Sequence, residues 1–262
     1  MSNRRINPMV VPTKDGSSTL YSQKFDQHYH NPNGAMAESR HVFFETPGIP
    51  DFLDTNKSTN IFEVGFGSGL NLVLLLDYLH KKNLQEETNY FSIEVFAIEA
   101  EAASNFNYGD ELAYLKPNEL LQNIFKDLSP GLNKFSLDNG LTLHLFISLF
   151  DDLSDSDLKS VKPINFVFHD AFSPDVNPDL WTPEVFKKLK FVCQSDAVLS
   201  TYCAASSARA AMAVSGWYPA RGKGALGKRE MTIASPTPDQ LDGFKRVNEK
   251  RLIERFKRGD FD

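Results

Sequence analysis

The residues best suited to chemistry fall in two short stretches. In NIFEVGFGSGLNLVLLLDYL (60–79), Glu63 precedes three glycines, Gly65, Gly67 and Gly69, set between an apolar run of strand length and a second apolar run. Glycine lets the backbone turn sharply and removes Cβ atoms that would keep a ligand away. A helix starting near Leu70 would point its first amides at that ligand. In FVFHDAFSPDVNPDLWTPEVF (166–186), a buried run ends in His169 and Asp170, and a proline-containing loop follows, with Trp181 expected to be exposed. Thr182 and Pro183 then read as the cap and first residue of a helix. An acid where a buried strand ends lies at the ligand edge of an open sheet. His169 is expected to be a packed histidine with a structural hydrogen bond.

The glycine spacing selects among cofactors. A dinucleotide fingerprint reads G-x-G-x-x-G, but here Leu70 stands where the third glycine would be. The pattern E-x-G-x-G-x-G is that of Rossmann-like S-adenosylmethionine-dependent methyltransferases. A second carboxylate should close the next strand and meet ribose hydroxyls; in YFSIEVFAIEAE both Glu94 and Glu99 are available, and spacing does not choose between them.

The elements that must hold these residues follow from apolar periodicity. Strand-length runs recur at 61–65, 90–96, 141–147, 164–170, 197–202 and 230–234. Helical patterns lie between several of them, in NLVLLLDYLHKK, at 117–130, in TPEVFKKLKFV and in ASSARAAMAVSG. NKFSLDNG (133–140) leads into the third of these strands. This alternation predicts an α/β fold, a mostly parallel sheet with helices on both faces. Residues 1–58 are polar and rich in turns: DG suggests a small hairpin, and NPNG a loop entering a short helix. The expected organisation is an N-terminal lobe (1–58), a Rossmann-like domain (59–236) and a charged, solvated helical tail (237–262).

Composition removes several classes. A formal charge of −6 excludes a general nucleic-acid coat, so any nucleic-acid contact must come from a local patch. Two cysteines, Cys193 and Cys203, give neither a disulfide framework nor a four-ligand zinc site, and a cytoplasmic protein without metal is expected. No run is long and apolar enough for a membrane span, and the start lacks a signal-peptide core. Local basic charge occurs in ARGKGALGKREM, where Arg221, Lys223, Lys228 and Arg229 stand in what reads as a glycine-rich loop, and again in the tail.

Taken together, EVGFGSGLN, HDAFSPDVNPDLWTPEVF, LSTYCAASSAR, GKREM and the earlier DGSSTLYSQKFDQHYHNPNGAMAESRHVF resemble the methyltransferase domain of the bacterial bifunctional tRNA-modifying enzyme MnmC and its stand-alone relatives. The resemblance spans roughly residues 12–235 and leaves the basic tail outside. It implies methyl transfer from S-adenosylmethionine to the aminomethyl nitrogen of wobble uridine 34, with the anticodon region of tRNA as partner. It also implies a cofactor turn made of Glu63, Gly65, Phe66, Gly67, Gly69 and Asn71, and it favours Glu94 over Glu99 as the ribose partner. Asp170 matches the acidic residue at the family's active-site edge, expected to orient the amine and receive its proton, with Phe172 in its loop, and Tyr29 and Glu38 lie over the cofactor. Tyr29, Phe172 and Trp181 are the aromatic residues expected to desolvate the amine, Trp181 being also an RNA contact. Arg221, Lys223, Lys228 and Arg229 are the other RNA contacts, Lys228 and Arg229 having a structural role as the alternative. Two departures stand out. Ser148 and Leu149 replace the family's Gly-Asp near the adenine, so Asp151 or Asp152 is expected to supply that contact; Asn31 stands where a serine is usual. Nothing in the sequence resembles the bifunctional enzyme's flavin domain, and FAD is not expected. The competing readings are a methyltransferase of the same fold acting on another amine, and a non-catalytic protein that binds S-adenosylmethionine or tRNA.

Overall fold

The structure, a computed structural model, describes residues 5–55, 58–109 and 112–261. Residues 1–4 and 56–57 of the expected lobe, and residue 262 of the expected tail, lie outside it.

The chain opens with β1 (Arg5–Ile6) and then a three-stranded antiparallel sheet of β2 (Met9–Pro12), β3 (Ser18–Ser22) and β4 (Gln27–His28). The hairpin expected at DG joins β2 to β3, with Asp15 closing the turn by accepting from the Ser17 amide and hydroxyl. After NPNG come α1 (Ala35–Ser39), a π-helical turn over 40–45 and α2 (Ile49–Thr55). The alternating part is β5 (Thr59–Val64), α3 (Leu70–Lys81), β6 (Thr88–Glu94), β7 (Ala97–Ile98), α4 (Ala100–Ala103), α5 (Pro117–Asp127), β8 (Gly131–Ser136), β9 (Leu141–Ile147), α6 (Asp155–Ser160) and β10 (Ile164–His169). It continues with α7 (Pro183–Val192), β11 (Cys193–Thr201), α8 (Ser206–Val214), β12 (Tyr218–Lys223), β13 (Glu230–Ser235), β14 (Lys245–Arg246) and α9 (Glu249–Lys257).

The central sheet runs β14-β12-β13-β11-β10-β5-β6-β9-β8. Neighbours from β11 through β10, β5 and β6 to β9 are parallel, while β8 and the β13-β12-β14 side pair antiparallel. Sequence order reverses between β5 and β10, which is where open α/β sheets bind ligands.

Side-chain alternation divides the core between the two faces. Ile61 packs with α3, α5 and the N-terminal segment, whereas Phe62 and Val64 pack with α7 and α8. Helix α3 is apolar almost all round because it is covered twice, by the sheet and by Leu20, Met36 and Phe43 of the N-terminal segment. Burial of both faces of α3 fixes the glycine turn in front of it.

Three expectations need correction. The first half of NKFSLDNG belongs to a strand, β8, paired antiparallel with β9; the strand's poor alternation and exposed Leu132 concealed it. The first half of ARGKGALGKREM is also a strand, β12, so Arg221 and Lys223 stand on the sheet and not in a loop. The predicted strand YFSIEVF breaks after Glu94, whose Oε1 accepts the amide hydrogens of Val95 (2.8 Å) and Phe96 (3.1 Å) and turns the chain outward.

Candidate active site

A cavity of about 460 Å³ opens beyond the carboxyl ends of β5, β6, β9 and β10. This is within the usual size of small-molecule sites, roughly 300–1,000 Å³. The glycine turn forms its floor. Gly65 and Gly67 have φ of +93° and +50°, a region that side chains other than glycine's rarely adopt. Their missing Cβ atoms make room for the protein itself: one on Gly65 would lie 2.7 Å from the Asp170 carbonyl oxygen, and one on Gly67 would lie 3.0 Å from Tyr29 Cδ1. The bare backbone thus serves first to let β10 and the N-terminal segment close on the turn.

Glu94 lines the cavity from the end of β6. Besides the two amides after it, it accepts the Gly67 amide at 3.1 Å, so the turn and the second strand are tied through one carboxylate. Burial raises its pKa, and the three backbone hydrogen bonds oppose that shift. Glu99 lies elsewhere, as the residue capping α4, and does not line the cavity.

Asp170 lines the cavity at the end of β10, its amide bonded to the Val64 carbonyl and its Oδ2 accepting from Asn71 Nδ2 at 3.0 Å. The same Asn71 nitrogen donates to Glu63 Oε1 at 2.9 Å, and Ser92 donates to the other Glu63 oxygen at 2.9 Å. Glu63 is therefore a buried support behind the turn. Burial, helped by the charge of Glu94, pushes its pKa up to about 8 against the bonds from Asn71 and Ser92. Asp170 is also held well above the usual carboxylate range, by burial first and then by the charges of Glu63 and Glu38. Glu63 and Asp170 therefore share one buried spot, and both take a proton more readily than in water.

Aromatic residues form the roof. Tyr29 meets Phe172 edge-on at 5.1 Å, and Phe25 packs on Phe172 (5.0 Å) and Phe96 (6.1 Å). Lys24 lies over the Phe96 ring at 3.5 Å. His30 also lines the cavity, paired with Ser68 at 3.1 Å; burial pushes its pKa down to about 4, so it is neutral near pH 7.

Of the expected residues, the cavity gathers Tyr29, Gly65, Phe66, Gly67, Glu94, Asp170 and Phe172. Glu63, Gly69 and Asn71 stand behind it, and Glu38 is buried beside it, accepting from the Asn31 amide (2.9 Å) and Lys228 Nζ (2.6 Å). Asn31, where a serine is usual, thus anchors Glu38. Asp151 does not line the cavity: it lies exposed on a short 3-10 turn, while Ser148, Leu149 and Phe150 form the wall there. Trp181 is 5% exposed, its Nε1 donating to the Phe172 carbonyl at 2.8 Å and its ring 4.3 Å from His169. It braces the Asp170 loop from behind and is closed to RNA, in contrast with its expected exposure. His169 is buried and bonded to the Leu180 carbonyl at 2.9 Å, as a packed histidine should be. Among the basic residues, Arg221 pairs with Glu230 (2.9 Å) and Lys228 with Glu38, while Lys223 and Arg229 are exposed. Lys24, Phe25, His30, Val95, Phe96, Asn177 and Leu180 also line the cavity and were not anticipated. Their only signal was adjacency to the motifs YHN, IEVF and HDAF.

Residues 116–237 match the family model of S-adenosyl-L-methionine-dependent methyltransferases. This segment of the chain is similar to that family. The chain is 30% identical over 237 residues to the tRNA 5-methylaminomethyl-2-thiouridine biosynthesis bifunctional protein MnmC of Cupriavidus metallidurans, covering 89% of this chain and 35% of that protein. The protein of the same name from Leptospira interrogans is 32% identical over 230 residues, 86% of this chain and 35% of the relative. The chain thus spans about a third of the length of these curated relatives. Among solved structures, MnmC2 from Aquifex aeolicus superposes with a TM-score of 0.68 at 23% identity, over 96% of this chain and 76% of that one. The shared fold thus extends over nearly the whole of this chain.

The residues present suit the family's cofactor. Glu94 and Asp170 give the cavity an acidic lining, complementary to a cationic sulfonium nucleoside, and Val95, Phe96, Leu149 and Phe150 offer an apolar wall to a purine. Among the described residues no group of three histidine, cysteine or acidic side chains could hold a metal ion, and no helix is long and apolar enough to cross a membrane.

Proposed function

We propose that this chain methylates the aminomethyl nitrogen of 5-aminomethyl-(2-thio)uridine at wobble position 34 of tRNA. The observation that carries this reading is Asp170, a buried carboxylate of raised proton affinity on the wall of the cavity that suits the methyl donor. The names of the curated relatives support the tRNA substrate.

When bound, S-adenosylmethionine supplies an electrophilic methyl group. The chain's own task is to present an amine lone pair to it. A free alkylamine has a pKa near 10.4, so only of the order of one molecule in a thousand is neutral at pH 7. Desolvation beneath Tyr29, Phe25 and Phe172 favours the neutral amine. Asp170 accepts the proton that the amine gives up, and its raised pKa matches it to that role. Asn71 fixes the carboxylate through Oδ2 and leaves Oδ1 for the substrate. Glu94 would take the ribose hydroxyls, the backbone of 65–67 the amino-acid end of the donor, and Leu149 and Phe150 the adenine. Residues 5–55 act as a cover carrying Tyr29 and His30, and the exposed Lys223 and Arg229 are proposed RNA contacts in a cytoplasmic enzyme.

The test is mass spectrometry of wobble nucleosides in tRNA from cells with and without this chain. The 5-methylaminomethyl nucleoside should vanish in its absence and the aminomethyl precursor accumulate. An unchanged nucleoside profile would refute the reading.

A further inference from the structure

A second cleft lies away from the donor cavity, between α8 and the C-terminal helix α9. It measures about 190 Å³ and is lined by Ser206, Arg209, Arg221, Asn248, Arg251 and Arg255 among others. That volume is below the roughly 300 Å³ of small-molecule sites, yet a single phosphate group needs far less. Four guanidinium groups converge on it. Arg209 and Arg221 share one carboxylate, Glu230 (3.1 and 2.9 Å), and Arg255 pairs with Asp260 at 3.0 Å. Arg251 has no ion-pair partner among the described residues and is exposed. Arg221 Nε is shielded from solvent without a hydrogen-bond partner. Two carboxylates against four guanidiniums leave the cleft in want of an anion.

The wider charge pattern points the same way. Between Lys245 and Arg258 there are seven basic and two acidic residues, in a chain whose total is −6. Helix α9 turns Leu252, Ile253 and Phe256 partly inward and keeps Lys250, Arg251, Lys257 and Arg258 exposed, so the charge sits on a docked, ordered element. The cleft also continues toward the active site. Glu230, which orders Arg209 and Arg221, lines the adjoining open groove together with Arg229, Lys228, Tyr202 and the loop residues Ser173–Asp175. Tyr202 in turn donates to the Ala171 carbonyl at 2.8 Å, next to Asp170. A basic path therefore runs from the catalytic loop to the arginine cleft. Guanidinium forks match phosphate oxygens bidentately and resist deprotonation, and the tRNA reading above makes a backbone phosphate the anion at hand.

We propose that the arginine cleft beneath α9 binds a backbone phosphodiester of the RNA substrate while the wobble base occupies the groove at Asp170. This rests on the tRNA reading above and extends it to a segment outside the sequence resemblance. Arg251 is the residue that reads the phosphate from solvent; Arg209 and Arg221, held by Glu230, preset the positive floor.

Binding of a full-length, undermodified tRNA is measured by fluorescence anisotropy across a salt series at constant pH, for the wild type, Arg251→Glu and Arg251→Lys. Neutralising one phosphate contributes about 0.9 to the slope of log K against log salt. Arg251→Glu should weaken binding about tenfold or more and lower that slope by about one, with unchanged affinity for S-adenosylmethionine. Arg251→Lys should keep the slope and lose only part of the affinity, since the charge remains without the fork. Inorganic phosphate, added at fixed ionic strength, serves as the competing source of the same chemistry. If it occupies the wild-type cleft and leaves tRNA affinity unaffected, the site is a free-anion site and the proposal falls. Equal affinity and slope in wild type and Arg251→Glu would also overturn it, while leaving methyl transfer to tRNA intact. Conversely, Arg251-dependent RNA binding by a protein that fails to methylate any wobble uridine would keep the cleft and refute the proposed reaction.

Discussion

Replacing Glu63 by Gln changes one oxygen for one nitrogen in the buried group behind the glycine turn. The amide can keep both contacts, its oxygen accepting from Asn71 and its nitrogen donating to Ser92, and it cannot ionise. In the folded chain burial holds the Glu63 carboxyl at a pKa of about 8, against an ordinary value of 4.5. The folded state therefore holds this proton more tightly than the unfolded state. The sign follows: the wild type keeps its full stability below about pH 4.5, loses it as pH rises through the window up to about 8, and levels off above. With 1.36 kcal/mol per unit, the loss is near zero at about pH 4, about 3 kcal/mol at pH 7 and about 5 kcal/mol at pH 9. The Gln variant escapes it. Its melting temperature should match the wild type's near pH 4.5 and exceed it by roughly 6–12 °C at pH 7, since about 1 kcal/mol moves a domain of this size by roughly 2–4 °C. Scanning calorimetry of both proteins from pH 4.5 to 9 is the assay. A difference in melting temperature that does not vary with pH, or a Gln variant less stable at pH 8, would refute the claim that burial dominates at Glu63.

Other substitutions separate binding from support. Glu94→Gln should weaken S-adenosylmethionine binding by about 10–100-fold, the loss of a charge-assisted hydrogen bond of about 1.5–3 kcal/mol, as read by titration calorimetry. Unchanged affinity would remove Glu94 from the ribose role. Trp181→Phe loses the bond to the Phe172 carbonyl and packing on His169, so it should cost about 1–3 kcal/mol in denaturant unfolding and leave tRNA affinity unaltered. A fall in tRNA affinity without loss of stability would restore Trp181 as an RNA contact. Asp151→Ala should change neither donor affinity nor turnover, because the side chain is exposed outside the cavity.

Most of the fold was legible because buried parallel strands write long apolar runs. Leu141–Ile147 matched its run end for end, and α3, α7 and α8 came within one or two residues of the helical patterns that predicted them. Strands at the sheet margin were hidden: β8 and β12 alternate weakly and carry charges or glycines, although each pairs antiparallel with the strand that follows it. The site divides in the same way. Glu94 and Asp170 end central strands, and strand ends are readable. Trp181 was misjudged because a tryptophan in a proline-rich loop gives no sign of folding back under its own loop. Lys24, Phe25 and His30 reach the cavity only through the docking of the N-terminal segment, a long-range event that local spacing does not encode. Spacing leaves Lys228 open between an RNA contact and a structural role, and only the fold brings it to Glu38.

The most direct test is transfer of a labelled methyl group from S-adenosylmethionine to purified tRNA carrying 5-aminomethyl-2-thiouridine, with the wild type and Asp170→Asn compared under single-turnover conditions. The account predicts label in the wobble nucleoside alone. It further predicts a rate lowered about 10²–10⁴-fold by Asp170→Asn, with donor affinity retained. Absence of label from the wobble nucleoside, or an Asn variant as fast as the wild type, would contradict it.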